Sequence, residues 1–199
     1  MQITQGKVTL RDYAASDIDD EIRWMNTDND WFYADTPWET PVPADPEELR
    51  REMLGIMAGL KEDSIRWRLE IEADGRHVGM VSSYLLDGSF EPVPWEQTDP
   101  AKNAAENHAV RALGIEICEK EFRGRGIGAA ALTAFMEYYR SFGEDRFLLE
   151  TWSGNERMLG CARKLGFAEV KRRKGAYTVD GEKADAVILE KRFGERKEN

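Results

Sequence analysis

The stretch from Ala112 to Phe142, ALGIEICEKEFRGRGIGAAALTAFMEYYRSF, constrains the fold more than any other. Leu113, Ile115 and Ile117 alternate with Gly114, Glu116 and Cys118, the two-residue period of a strand. Ile127, Ala131, Leu132, Phe135, Met136 and Tyr139 then recur at helical spacing. Between strand and helix lies Arg123-Gly124-Arg125-Gly126-Ile127-Gly128. Glycines let a backbone come close to a ligand, and a helix start offers N–H groups without intrahelical partners. Such a terminus favours an anion. Arg123 and Arg125 add charge and directed donors. The loop over residues 123–129 is therefore read as a phosphate or pyrophosphate cradle.

Composition narrows the rest. At 199 residues the chain is long enough for one domain with an ample core. Its 41% apolar and 33% charged residues are ordinary for a soluble globular protein. A net charge of −10 argues against nucleic acid as a partner and would suit a cationic or amine substrate, although acidity alone is usually a matter of solubility. The two cysteines, Cys118 and Cys161, sit in periodic apolar segments and have neither a disulfide nor a metal spacing. No run is long enough to span a membrane, and the N-terminal residues lack an apolar signal core. The expectation is a cytoplasmic protein without a metal.

Along the chain, residues 1–62 read as a strand over Lys7–Arg11 and two helices. The first helix is capped by Ser16 or Asp17; the second starts at Asp45-Pro46 and runs to about Leu60. Between the helices lies an aromatic, acidic stretch holding Trp31, Asp35, Trp38 and Glu39. Residues 63–167 hold the core sheet and the glycine loop. Here strands over Ile65–Ala73 and Arg76–Leu86 join at Asp74-Gly75, and residues 87–107 form an excursion or a lid. The strand-loop-helix follows, then a strand over Arg146–Trp152 and a short helix from Asn155 to Gly166. Residues 168–192 make a hairpin around Asp180-Gly181, and residues 193–199 a loose tail. This is a mixed α/β (α+β) chain with a largely antiparallel sheet.

Several readings of the glycine loop compete. It can serve packing alone. Gly124, Gly126 and Ala129 also fit a dinucleotide fingerprint, but the charged turn from Glu119 to Arg123 separates them from the strand, and too little chain follows. An ATPase phosphate loop is excluded, because no Gly-Lys-Ser/Thr follows. The pattern Arg123-x-x-Gly126-x-Gly128 resembles the acyl-coenzyme-A signature of the GNAT N-acetyltransferase superfamily. Leu149-Glu150-Thr151, Asn155 and Lys164-Leu165-Gly166-Phe167 resemble that family's downstream run. Leu10-Arg11-Asp12 with Asp17 resembles its opening. Ala184-Asp185-Ala186-Val187 is similar to the closing hairpin of its ribosomal-protein N-acetyltransferase branch.

The resemblance implies a sheet splayed at the acyl-CoA site and flanked by helices, with acetyl-CoA as cosubstrate. It places the pyrophosphate on the backbone of Gly124, Arg125, Gly126, Ile127 and Gly128, with the arginines nearby. It runs the pantetheine along the edge at Ile117 and Cys118, with Asn155 in contact. The implied reaction moves an acetyl group to a primary amine, either a small molecule or a protein N-terminus. Glu150 is the first candidate base, its plain alternative being a strand glutamate in an ion pair; Glu116 is the second, its plain alternative being a surface acid. Trp31, Trp38, Glu39, Tyr84, Trp95 and Glu96 are candidate acceptor-site residues, since aromatic walls with a few acids suit an amine. At the position where many members carry a tyrosine as general acid, this chain has Ala162, so the acid is unassigned. That departure keeps a non-catalytic acyl-CoA-binding or sensor protein as the rival reading. Oligomeric state is left open, a homodimer being one arrangement compatible with the sequence.

Overall fold

The structure, a computed structural model, describes residues 1–62, 64–99 and 101–194. The tail expected to be loose lies, from residue 195 on, outside the described residues. The chain opens with a hairpin of β1 (Gln2–Gln5) and β2 (Val8–Arg11) about Gly6, whose φ is +62°. The sequence reading began at Lys7 and passed over β1, an exposed edge strand with a single apolar residue, Ile3. α1 (Ile18–Asn26) follows a short 3-10 turn. Neither Ser16 nor Asp17 caps it; the Asp17 carboxylate instead accepts from Arg11, at 2.6 and 2.8 Å, and from the Ala14 N–H. A short α2 (Phe32–Asp35) precedes α3 (Pro46–Gly59). Asp45 does cap α3, accepting from the N–H groups of Glu47 and Glu48.

β3 (Arg68–Ala73) and β4 (Arg76–Leu86) turn at Asp74-Gly75, both with positive φ as such hairpins require. β3 begins later than the apolar pattern implied, because α4 holds Arg66: the Tyr138 hydroxyl accepts its N–H and the Tyr139 hydroxyl donates to its carbonyl. The chain continues through β5 (Val110–Ile117), α4 (Ile127–Arg140), β6 (Arg146–Trp152), α5 (Glu156–Lys164), β7 (Ala168–Val179) and β8 (Glu182–Arg192). Residues 87–107 are an excursion pinned to the far end of α4, where Asn103 donates to the Phe142 carbonyl and the Ala104 N–H to Glu144.

All eight strands form one sheet in the order β1-β2-β3-β4-β5-β6-β8-β7. Every pairing is antiparallel except β5 with β6. That parallel pairing covers only Arg111–Leu113 against Phe147–Leu149. Beyond it β5 stays with β4 as far as Ile117, while β6 stays with β8 as far as Trp152. The two strands therefore part, and the sheet opens in a V at its centre. Backbone groups of β5 facing β6 lose their strand partner there.

The two faces of the sheet differ. Leu69, Ile71, Val81, Leu113 and Leu149 meet Leu132, Phe135 and Met136 of α4 in the main core. The opposite face takes α1 through charge. Arg68 pairs with Glu21 and Glu70, His77 with Glu70 and Asp20, and Arg23 with Glu119. Arg68, Glu70 and Glu119 are enclosed, so these pairs must offset a large loss of hydration by close geometry. No helix among the described residues is long and apolar enough to cross a membrane.

Candidate active site

The V of the sheet opens into a cavity of about 590 Å³. It is lined by the glycine loop, by the start of α5, and by Trp31, Ala34, Asp35, Tyr84 and Glu150; Asp35, Tyr84 and Glu150 lie close enough to act on one another by charge. The part at the glycine loop is built from backbone. α4 starts after Gly126 at φ +82°, and Gly124 has φ +74°. Residues with a Cβ rarely hold such angles, so these positions call for glycine even though the space around them is open. The first helical N–H with an acceptor is that of Ala130, bonded to the Gly126 carbonyl. The N–H groups of Ile127, Gly128 and Ala129 are left for an anion.

Both arginines make ion pairs within the protein. Arg123 lines the cavity, but its guanidinium makes four hydrogen bonds within the protein: to the Ile117 and Cys118 carbonyls, at 2.7 and 2.6 Å, and to both oxygens of Asp30, each at 2.8 Å. It clamps the end of β5 to the segment before α2. Arg125 pairs with Asp74 at 3.1 Å and lies outside the cavity wall. Ile127 belongs to the core. Cys118 is buried behind the edge rather than on it, and burial pushes its thiol well above the ordinary range.

The edge itself is available. The Cys118 N–H donates to the Val78 carbonyl on the β4 side. Strand alternation then turns the Ile117 N–H away from β4, toward the open V. Asn155 caps α5 by accepting from the Met158 N–H, and it also lines the cavity.

Two strand carboxylates meet this space. Glu116 sits in a cross-strand row with Met80 and Glu70. It lines the cavity, yet its Oε2 is enclosed and has no hydrogen-bond partner. Burial, reinforced by the charges of Asp35 and Glu70 and opposed by Arg68, pushes its carboxyl from an ordinary 4.5 to about 8. The sequence reading treated Glu116 as second choice, and its alternative as a surface acid does not hold. Glu150, the first choice, is a quarter exposed and pairs with Arg173 at 3.3 Å. Asp35, which the sequence did not separate from its acidic neighbours, lines the same cavity. Burial, and then the charges of Glu150 and Glu39, raise its carboxyl above the usual range. Burial and the charges of Glu150 and Asp35 likewise keep the Tyr84 hydroxyl protonated.

Of the expected acceptor residues, Trp31 and Tyr84 line the cavity. Trp38 does not; it stacks flat on Tyr177 at 3.6 Å and edge-on to Trp152, whose indole N–H holds the Ala34 carbonyl. Glu39 acts on Asp35 by charge without lining the wall. Trp95 and Glu96 are carried off by the excursion, where Trp95 packs edge-on against Trp67. Ala162 is fully buried, so no hydroxyl replaces the tyrosine usual at that position.

The sequence profile described as an acetyltransferase (GNAT) domain matches residues 7–168. No curated protein sequence matches the chain. RimL, a ribosomal L7/L12 alpha-N-protein acetyltransferase solved in complex with coenzyme A, is 18% identical over 97% of this chain and 98% of its own, with a TM-score of 0.69. The acetyltransferase of Salmonella typhimurium that modifies the N-terminal serine of L7/L12 is 17% identical over 98% of this chain and 100% of its own, with a TM-score of 0.65. A GNAT-family acetyltransferase from Bacillus anthracis is 12% identical over 96% of this chain and 98% of its own, with a TM-score of 0.65. These similarities are similarities of fold. With the profile covering most of its length, the chain belongs to the GNAT family and is an acetyltransferase.

Proposed function

We propose that the protein transfers the acetyl group of acetyl-CoA to a primary amine by direct attack. One observation carries the reading: at the open edge of β5, beside an anion cradle, stands a carboxylate enclosed and without partner, Glu116. Acetyl-CoA supplies an acyl group already activated as a thioester. The unbonded N–H groups at the start of α4 suit its pyrophosphate, and the open β5 edge suits its pantetheine amides. Glu116 accepts the proton that the amine must lose, and a carboxyl at about 8 is well matched to that task near neutral pH. The Ile117 N–H donates to the carbonyl oxygen as it gains charge. Glu150 and Asp35 give the cavity wall the negative charge that attracts a cationic acceptor. With Ala162 in the core, solvent returns a proton to the departing thiolate.

The fold likeness to the L7/L12 acetyltransferases favours a protein N-terminus among the acceptors, and the acidic mouth favours amines generally. The buried Ala162 is the one observation favouring a non-catalytic acyl-CoA sensor. Release of free thiol from acetyl-CoA across a panel of small amines and peptides separates the two. Coenzyme-A binding without thiol release for any acceptor would establish the sensor.

A further inference from the structure

The acceptor end of the cavity carries more carboxyl groups than one amine needs. Asp35, Glu116 and Glu150 all line it, and Glu39 adds its charge close by. Of the cations that line the cavity, Arg123 belongs to the glycine loop and Arg157 and Lys164 to α5. Arg173 pairs with Glu150 from an exposed position, at 3.3 Å. Arg68, whose charge acts on Glu116, directs Nη1 to Glu21 and Nε to Glu70 and keeps a buried Nη2 at no bonding distance from Glu116. Asp35 has no hydrogen-bond or ion-pair partner among the described residues; it is an exposed residue that also lines the cavity. The enclosed, partnerless Oε2 of Glu116 is an independent sign that a donor belongs in this space. A carboxylate left without a partner in a concave site loses hydration with nothing in return. Glu116 is the acid beside the β5 edge, where the attacking nitrogen must arrive. Asp35 and Glu150, at the mouth, are too many for that same nitrogen.

We propose, building on the amine-acetyltransferase reading, that the acceptor is a primary amine tethered to a second cationic group, with Asp35 and Glu150 holding the second cation while Glu116 takes the proton of the first. Trp31 and Tyr84 give the linking carbons an aromatic wall. An acceptor bearing a carboxylate near its amine meets the same acids as repulsion and is rejected. This chemistry has two sources, a free aliphatic diamine or polyamine and a protein N-terminus followed by a basic residue.

The test is calorimetry on the protein loaded with coenzyme A, with cadaverine, pentylamine and the ω-amino acid of matching chain length as probes. Cadaverine should bind roughly tenfold to a hundredfold tighter than pentylamine, the worth of one added charge-assisted contact. The gap should narrow with salt, and the amino acid should bind weakest. Asp35→Asn should shrink the cadaverine-to-pentylamine ratio toward one, and Asp35→Glu should restore it. Equal binding of cadaverine and pentylamine, or tighter binding of the amino acid, overturns the proposal. Thiol release from acetyl-CoA is read separately. Release without preference for the dication refutes this inference and leaves the acetyltransferase reading standing; dication-selective binding without release does the reverse. Peptide amides with lysine or glutamate after the free α-amine complete the series. A lysine peptide preferred over cadaverine identifies a protein as the source of the cation, and the opposite order a small molecule.

Discussion

Glu116→Gln separates chemistry from stability at one position. The amide keeps the shape of the carboxyl but cannot take a proton. With a midpoint at about 8, only roughly a tenth of Glu116 is ionised at pH 7, so the native rate should climb about tenfold between pH 7 and the plateau above 8. Removing a positioned base should lower turnover by ~10²–10⁴-fold, or roughly 3–5 kcal/mol of barrier. The deficit of the variant against the native protein should widen as pH approaches the plateau, because the native base is then fully ionised. Coenzyme-A affinity should stay unchanged, since the proposed cradle is built from the backbone at the start of α4 and not from Glu116.

The same substitution should stabilise the fold. In the unfolded chain Glu116 ionises near 4.5; in the folded protein it resists ionisation until about 8. Between those values the folded state holds a proton that the unfolded state releases, so stability falls as pH rises. Over that interval, at ~1.36 kcal/mol per pH unit, the loss is at most roughly 4–5 kcal/mol. The opening of the cavity to water makes this an upper bound. The uncharged amide of the variant has no such slope, so the melting temperature of the variant should gain on the native protein from pH 5 to pH 8 and then run parallel. Stopped thiol-release assays and thermal melts over one pH series check both. Near-native turnover of the variant at pH 7 would remove Glu116 as the base, and a melting difference independent of pH would remove its buried, protonated state.

Other positions give sharp outcomes. Gly126→Val forces a β-branched residue to φ +82° at the start of α4; calorimetry should show loss of coenzyme-A binding in a protein that still folds, and unchanged affinity would refute the cradle. Arg123→Ala should weaken a pantetheine fragment as well as coenzyme A, because Arg123 holds the Ile117 and Cys118 carbonyls; a loss confined to the nucleotide-bearing ligand would make it a phosphate contact instead. Burial works against the charged form of His77, but its bond to Glu70 and the charge of Asp17 prevail and raise its midpoint above 6.5. Its stabilising effect is therefore full below 6.5 and fades as pH rises through the raised value, so His77→Gln should lower the melting temperature more at pH 6 than at pH 9, and equal losses would refute it.

What the sequence disclosed and what it withheld divide along separation in the chain. The strand, glycine loop and helix of residues 112–142 were legible because periodicity and glycine content are local. So were the turns at Asp74-Gly75 and Asp180-Gly181, where positive φ is needed at both residues of each pair. β1 escaped because an exposed edge strand needs no apolar pattern. Roles within the site were harder. Glu116 and Glu150 look alike in sequence, each an acid inside an apolar strand. Their difference comes from what crosses the sheet: Glu150 meets Arg173 of β7, whereas Glu116 meets Met80 and no cation at bonding distance. The bond of Arg123 to Asp30 was hidden because the two lie 93 residues apart. Trp95 was assigned to the site because nothing local marks the excursion as running to Trp67 and the far end of α4.

The sheet supplies both what was legible and what was not. Its opening follows from register, since β5 and β6 each keep an antiparallel neighbour and give up their parallel pairing after Leu113 and Leu149. A strand edge opened in this way needs partners for its backbone groups, and a pantetheine chain carries amides that supply them. Residues that follow the last paired rung on either side, Gly114 to Ile117 and Glu150, then face the new space rather than each other. Gly114 keeps the floor of that space low: a Cβ there would come within 2.6 Å of the Ser82 Oγ. Glu116 stands two residues farther on, on the same side of the strand and just before the edge amide of Ile117. The loss of pairing that binds the cofactor thus also delivers the proton acceptor, and a shift of β5 by one residue would turn Glu116 into the apolar core under α4 and leave the site without a base.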